Sequence, residues 1–274
     1  MTDRASAAEA HVTQAHDAPA AQGLTRRGFS ALAGGALASA AFGLACTAET
    51  RVGSAGNARL RARPKSGVAT SVKGTVKLVL GGTRDGVLQL PPVMGPTPLP
   101  LVVLLHGAGN TGERMLARLG SAPGEAGVAV LAPDSRGSTW DGIRGAFGAD
   151  VAFLDRALNK VFDLVNVDPA CVSVAGFSDG ATYALSLGLI NGDVFTKIAA
   201  FSPGFVVDGP PSGKPGIFIS HGTADEILPI DTCSRRIVPA LRGRGYTVTF
   251  REFSGAHEVP PAIATEAMRW LATT

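Results

Sequence analysis

From about residue 75 onward, two kinds of apolar pattern alternate along the chain. Leu101-Val102-Val103-Leu104-Leu105 is an unbroken apolar run, the signature of a strand buried on both faces of a parallel sheet. Shorter β-rich runs at 76–80, 128–131, 171–175, 198–201, 217–220 and 247–253 predict further strands. Between them Val151, Leu154, Leu158, Val161 and Val165 recur at helical spacing, which predicts an amphipathic helix over 149–166. Asp168-Pro169 closes that helix. Further helices are predicted at 181–190, 234–241 and 262–271. Repeated strand–helix alternation predicts the α/β class: one domain over 73–274, with a mostly parallel central sheet and helices on both faces. No internal repeat and no second domain is visible.

Before residue 73 the pattern changes. Thr25-Arg26-Arg27-Gly28-Phe29-Ser30 sets two adjacent arginines ahead of an uncharged Ala/Gly-rich stretch that runs to Ala45. This predicts a twin-arginine export signal over 1–46. A spanning helix is the alternative, but the stretch is short of the roughly 20 residues a span needs and is only mildly apolar. Gly43-Leu44-Ala45-Cys46 resembles a lipoprotein processing site, although Gly43 stands where leucine is usual. Cys46 is thus a candidate for lipidation, and ordinary cleavage near Ala45 is the other reading. Residues 47–72 show no apolar periodicity and read as a flexible, mildly basic linker. The expected location is outside the cytoplasmic membrane: periplasmic, anchored or secreted.

Composition narrows the function. Of 274 residues, 45% are hydrophobic and 17% charged, so most of the chain can form a globular core. The net charge is +3, with no basic stripe interleaved with aromatics, which excludes a nucleic-acid partner. The three cysteines, Cys46, Cys171 and Cys233, have neither metal-ligand spacing nor an even count. Cys171 and Cys233 fall at opposite ends of the predicted sheet and are expected to be unbridged structural thiols. No metal or cofactor is implied.

Candidate chemistry centres on Gly176-Phe177-Ser178-Asp179-Gly180. The pentapeptide alone is a weak signal, but here an apolar strand precedes it and a helical run follows. A serine on such a tight turn projects its hydroxyl from the sheet, and the two glycines leave room for strand and helix to pack closely. Of five histidines, His11 and His16 lie in the leader. His106 and His221 each end a buried strand before a glycine, where a histidine more often shapes the strand exit. His257 remains, in a loop after the last strand, as the candidate general base. Asp225, just past another strand, is the candidate acid, with Asp208 as runner-up and helix capping as its plain structural role. In these roles His257 takes the Ser178 proton as Oγ attacks a carbonyl, and Asp225 holds the imidazole tautomer. The oxyanion would be met by the backbone N–H groups of Asp179 and Ala108.

With these residues placed, positions 76–273 resemble the α/β-hydrolase superfamily. The segments that carry the likeness are Leu105-His106-Gly107-Ala108-Gly109, Gly176 to Gly180, and His221-Gly222-Thr223-Ala224-Asp225 followed by Leu228-Pro229. Within it the chain is most like the phospholipase/carboxylesterase and polyhydroxybutyrate depolymerase or feruloyl esterase group, a likeness to which the stretch Pro133 to Asp141 adds. Ala256, where a second glycine is common, is a departure. The resemblance implies a Ser-Asp-His triad, an acyl-enzyme intermediate and small or polymer-attached ester substrates. Only a short loop, 203–215, stands where a lid often inserts, so no large lid is expected. Trp140, Phe147, Phe177 and Phe205 are candidates to line the cleft. A thioesterase or peptidase would use the same triad, and an inactive hydrolase-fold binding module is the alternative from a different class.

Overall fold

Residues 58–274 are described by a computed structural model. The expected export signal at 1–46, Cys46, His11, His16 and the linker up to residue 57 lie outside the described residues. Eight strands form one sheet in the order β1-β2-β4-β3-β5-β6-β7-β8. They are β1 (Thr75–Lys77), β2 (Gly86–Gln89), β3 (Leu99–Leu105), β4 (Ala129–Pro133), β5 (Val167–Phe177), β6 (Lys197–Phe201), β7 (Gly216–Gly222) and β8 (Val248–Phe253). Every pair from β4 through β8 is parallel, and only the β1–β2 and β2–β4 pairs are antiparallel.

The continuous apolar run behaves as its composition requires. Leu101, Val103 and Leu105 enter one core cluster, whereas Val102 and Leu104 enter the other, because successive strand side chains point to opposite faces. On the first face lie α4 (Ala149–Leu164), α5 (Asp179–Ile190) and α6 (Ser234–Gly243). On the second lie α1 (Gly112–Arg118), α2 (Ala122–Glu125) and α7 (Pro261–Leu271). Helix α3 (Asp141–Arg144) packs against α5. Residues 202–215 join β6 to β7 without a helix, so no lid domain interrupts the fold there. The expected single sheet with helices on both faces is thus the observed architecture.

Three details differ from the sequence reading. First, Asp168-Pro169 lies inside β5 and does not merely close a helix. The β3–β5 register jumps from Leu99↔Val167 to Leu101↔Val172. Residues 168–170 therefore form an irregularity in the strand, where a proline costs no ladder hydrogen bond. Second, β1 stops at Lys77, and β2 joins the sheet antiparallel between β1 and β4, a strand that the four residues Gly-Val-Leu-Gln did not reveal. Third, residues 58–72 do not run free of the domain. Ala58, Leu60 and Ala62 are buried and alternate with exposed Arg59, Arg61 and Arg63. Asn191 Oδ1 accepts the Leu60 N–H, and Asp155 Oδ1 accepts those of Arg61 and Ala62. Residues 58–63 thus carry a period-two alternation, against the expectation of none in the linker.

Cys171, in β5, and Cys233, at the start of α6, are both buried. Burial raises the Cys171 thiol above its ordinary pKa, which keeps it protonated and unreactive. Among the described residues no helix is long and apolar enough to cross a membrane.

Candidate active site

Sheet register brings the candidate residues to one edge. Leu105 of β3 pairs with Gly176 of β5. Just past that pair, Gly107 meets Ser178. A Cβ on Gly107 would lie 3.2 Å from Ser178 Cβ, so the two turns touch. On the other side of β5, Phe177 pairs with Phe201 of β6, and the Ser178 N–H donates to the Phe201 carbonyl at 2.9 Å.

Ser178 sits between β5 and α5 with φ 58° and ψ −122°. A non-glycine residue there costs on the order of 1–3 kcal/mol and persists only where its surroundings enforce it. The enforcement is visible at Gly176, where a Cβ would fall 2.2 Å from Gly180 O. Ser202, next to Ser178 across the β5–β6 register, is the second non-glycine residue with positive φ among the described residues, at 52°.

Asp225 and His257 arrive from the neighbouring strands. The Thr223 and Ala224 N–H groups donate to Phe253 O and Gly255 O, both at 2.9 Å, which joins the loop after β7 to the loop after β8. His257 Nδ1 lies 2.7 Å from Asp225 Oδ2. The Asp225 side chain is fully buried, and its other oxygen accepts the N–H groups of Ile227 and Leu228 at 3.0 and 2.8 Å. One carboxylate thus braces its own turn and holds the imidazole; it does not cap a helix, because α6 begins only at Ser234. With Nδ1–H donating to Asp225, Nε2 is the basic nitrogen. Asp225 is the one side-chain hydrogen-bond partner of His257 among the described residues; the Ser178 hydroxyl and the imidazole are not hydrogen-bonded to each other, a contact that in hydrolytic sites often forms only when substrate binds. Asp208, the runner-up acid, instead faces Arg244 at 3.8 Å on a partly exposed surface.

The N–H groups of Ala108 and Asp179 find no acceptor among the described residues. Asp179 opens α5, whose first-turn donors have no intrahelical acceptor. Both groups therefore border Ser178 with their hydrogen-bonding capacity free, as an anion-stabilising pair needs.

Two aromatic placements need correction. Trp140 is fully buried. Its indole N–H donates to His106 O at 2.8 Å, and its ring stacks on Tyr183 with centroids 5.2 Å apart. An indole whose polar atom is satisfied by a strand carbonyl belongs to the core, so Trp140 does not line a cleft. Phe147 is likewise buried against Tyr183. Phe177 does border the site, its ring centroid 4.6 Å from that of His257. Phe205, on the loop after β6, is partly buried.

The sequence reading assigned His221 only to the strand exit, yet His221 touches the acid. Its Nε2 lies 2.7 Å from Leu228 O and 3.1 Å from Asp225 Oδ2, and Nδ1 lies 2.7 Å from Ser234 Oγ. The tautomer consistent with these partners carries its proton on Nε2 and accepts from the Ser234 hydroxyl. The available signal was the four-residue spacing of His221 and Asp225 across a tight turn.

Burial lowers the pKa of both His106 and His221 below the ordinary 6.5, outweighing the upward pulls of their carbonyl and aspartate neighbours. The folded state thus favours the neutral rings. Stability from this source is complete above the unfolded value and is lost as pH falls below about 6.5, where only the unfolded chain takes up these protons. Each histidine adds up to about 1.4 kcal/mol per pH unit in that window. Asp150, which burial raises above 3.8, acts with the opposite sign, so the comparison must be between variants. His221→Gln is expected to show a shallower loss of stability than wild type from pH 7 to pH 5 in urea titrations. An equal slope would show that His221 titrates alike in both states.

Fold and site together define an α/β-hydrolase fold with a strained serine at the strand–helix turn and a His–Asp pair beside it. No family model matches the chain. It is 29% identical over 185 residues to NocK of Nocardia uniformis subsp. tsuyamanensis, a protein named as an esterase, with 63% of this chain and 53% of that protein covered. It is 27% identical over 157 residues to feruloyl esterase C of Emericella nidulans, covering 54% and 57% of the two chains. The chain thus spans little more than half the length of these relatives. Among solved structures, that of esterase PE8 superposes with a TM-score of 0.55 at 24% identity, covering 69% of this chain and 97% of that one. The resemblance to α/β-hydrolase esterases therefore holds in both sequence and fold.

Proposed function

We propose that the protein is a serine hydrolase that cleaves carboxylic esters through Ser178, His257 and Asp225. The observation that carries the reading is the 2.7 Å His257–Asp225 contact at the strand edge where Ser178 is held in a strained turn. In this mechanism His257 Nε2 takes the Ser178 proton while Oγ attacks the acyl carbon. The Ala108 and Asp179 N–H groups receive the developing oxyanion. His257 then protonates the leaving alcohol, and water attacks the acyl-enzyme by the same route in reverse. Relatives named esterase and feruloyl esterase favour esters over amides or thioesters as the substrate class. Small and polymer-attached esters both fit a fold with no lid between β6 and β7. The paired Arg26-Arg27 and the Ala/Gly stretch support action outside the cytoplasmic membrane, with Cys46 as the point of any lipid anchor. A fluorophosphonate probe tests the reading: folded wild type takes the label and Ser178→Ala does not. Pure, folded wild type that stays unlabelled would favour the binding-module alternative.

A further inference from the structure

The two candidate oxyanion donors belong to separate pieces of chain, the turn after β3 and the start of α5. Their N–H groups must both point to one spot about 2.7–3.1 Å away, so something has to fix one piece relative to the other. The segment between β4 and α3 touches both. On the β3 side, the Gly109 N–H donates to Ser138 O at 2.6 Å, the Ser135 N–H donates to His106 Nε2 at 3.0 Å, and the Trp140 indole donates to His106 O at 2.8 Å. Residues on both sides of Ala108 are thereby held. On the α5 side, the buried Thr139 hydroxyl donates to Asp179 Oδ2 at 2.5 Å. The segment is itself anchored, because the Asp150 carboxylate accepts the N–H groups of Arg136 and Asp141 at 2.6 and 2.7 Å.

We propose that residues 135–140 act as a clasp on the oxyanion hole, with Thr139 as the positioning residue that couples its two halves. The inference rests on the esterase reading above and adds a residue that acts through another: Thr139 does not touch the reacting atoms. Its hydroxyl binds the side chain of the residue whose backbone N–H is one of the two candidate donors.

Thr139→Val removes the hydroxyl at nearly constant volume. With p-nitrophenyl acetate, and with enzyme quantified by its p-nitrophenol burst, kcat is expected to fall about 10- to 100-fold while KM stays within about threefold, the scale of a slightly misplaced transition-state donor. Thr139→Ser should return kcat to within about threefold of wild type. Thr139→Ala serves in place of the valine variant if valine prevents folding. A merely structural threonine would lower Tm and the burst amplitude and leave turnover per active site intact. A kcat per titrated site within twofold of wild type in the hydroxyl-free variant overturns the clasp. Amide hydrogen exchange provides an arm independent of catalysis: loss of the hydroxyl should speed exchange in peptides covering 106–110 and 178–182. Unchanged exchange there also overturns the clasp, even if wild type proves inactive on esters, an outcome that would separately end the esterase reading.

Discussion

His257→Ala is expected to lower kcat on p-nitrophenyl acetate by at least about 1,000-fold, with little change in KM. The size follows from the imidazole's two tasks, taking the serine proton and returning it to the leaving group, for which no second histidine stands ready among the described residues. His221 is the nearest alternative in kind, but it is fully buried, with both ring nitrogens engaged by Ser234, Leu228 and Asp225. His106 is also buried, with its nitrogens on Gly107 O and the Ser135 N–H. Steady-state kinetics on the variant, with folding verified by its urea midpoint, makes the comparison. Turnover within tenfold of wild type would remove His257 from the mechanism.

Gly180→Ala is expected to be strongly destabilising. A Cβ at this position would sit 2.2 Å from Leu105 O and 2.6 Å from His106 O. Both are backbone atoms at the end of a central strand, and neither can swing aside as a side chain would. Relief requires α5 to lift from β3, which opens the core packed beneath Ala181, Ala184 and Leu185. Overpacking typically costs 1–3 kcal/mol and occasionally more. A clash against fixed backbone belongs at the upper end, about 3 kcal/mol, or a Tm lower by roughly 6–12 °C for a domain of this size. Because α5 also carries the Asp179 N–H, activity per folded molecule should fall with it. A Tm within 2 °C of wild type would show that the helix adjusts freely and that the turn is not as tightly determined as its geometry indicates.

The parallel half of the fold was legible because strands buried on both faces leave little choice of residue. Leu101 to Leu105 form an unbroken apolar run, and the parallel strands that followed showed as short β-rich runs, most of them apolar. Helices α1, α2 and α3 were not predicted, since seven-, four- and four-residue helices have no room to display a period. The Ala58, Leu60, Ala62 alternation was overlooked because small apolar residues between arginines look like a solvated linker until Asn191 and Asp155 are seen to accept their backbone N–H groups.

The placement of Ser178, Asp225 and His257 in loops at one end of the sheet could be read from strand context and chain order, since loops at strand C-termini gather in open α/β sheets. Contacts that depend on three-dimensional closeness could not be read. Nothing along the chain says that Trp140 turns inward to the His106 carbonyl, that Thr139 reaches Asp179, or that His221 shares the carboxylate with His257. Each of these joins residues on different loops, and their distance in space is set by sheet order.

The most direct test is the site of covalent capture. After reaction with a fluorophosphonate, peptide mass mapping should place a single adduct on Ser178, in the peptide containing Gly176 to Gly180, with labelling strongly reduced in His257→Ala. An adduct on another serine, such as neighbouring Ser202, or a folded wild type that takes no adduct, would contradict the account.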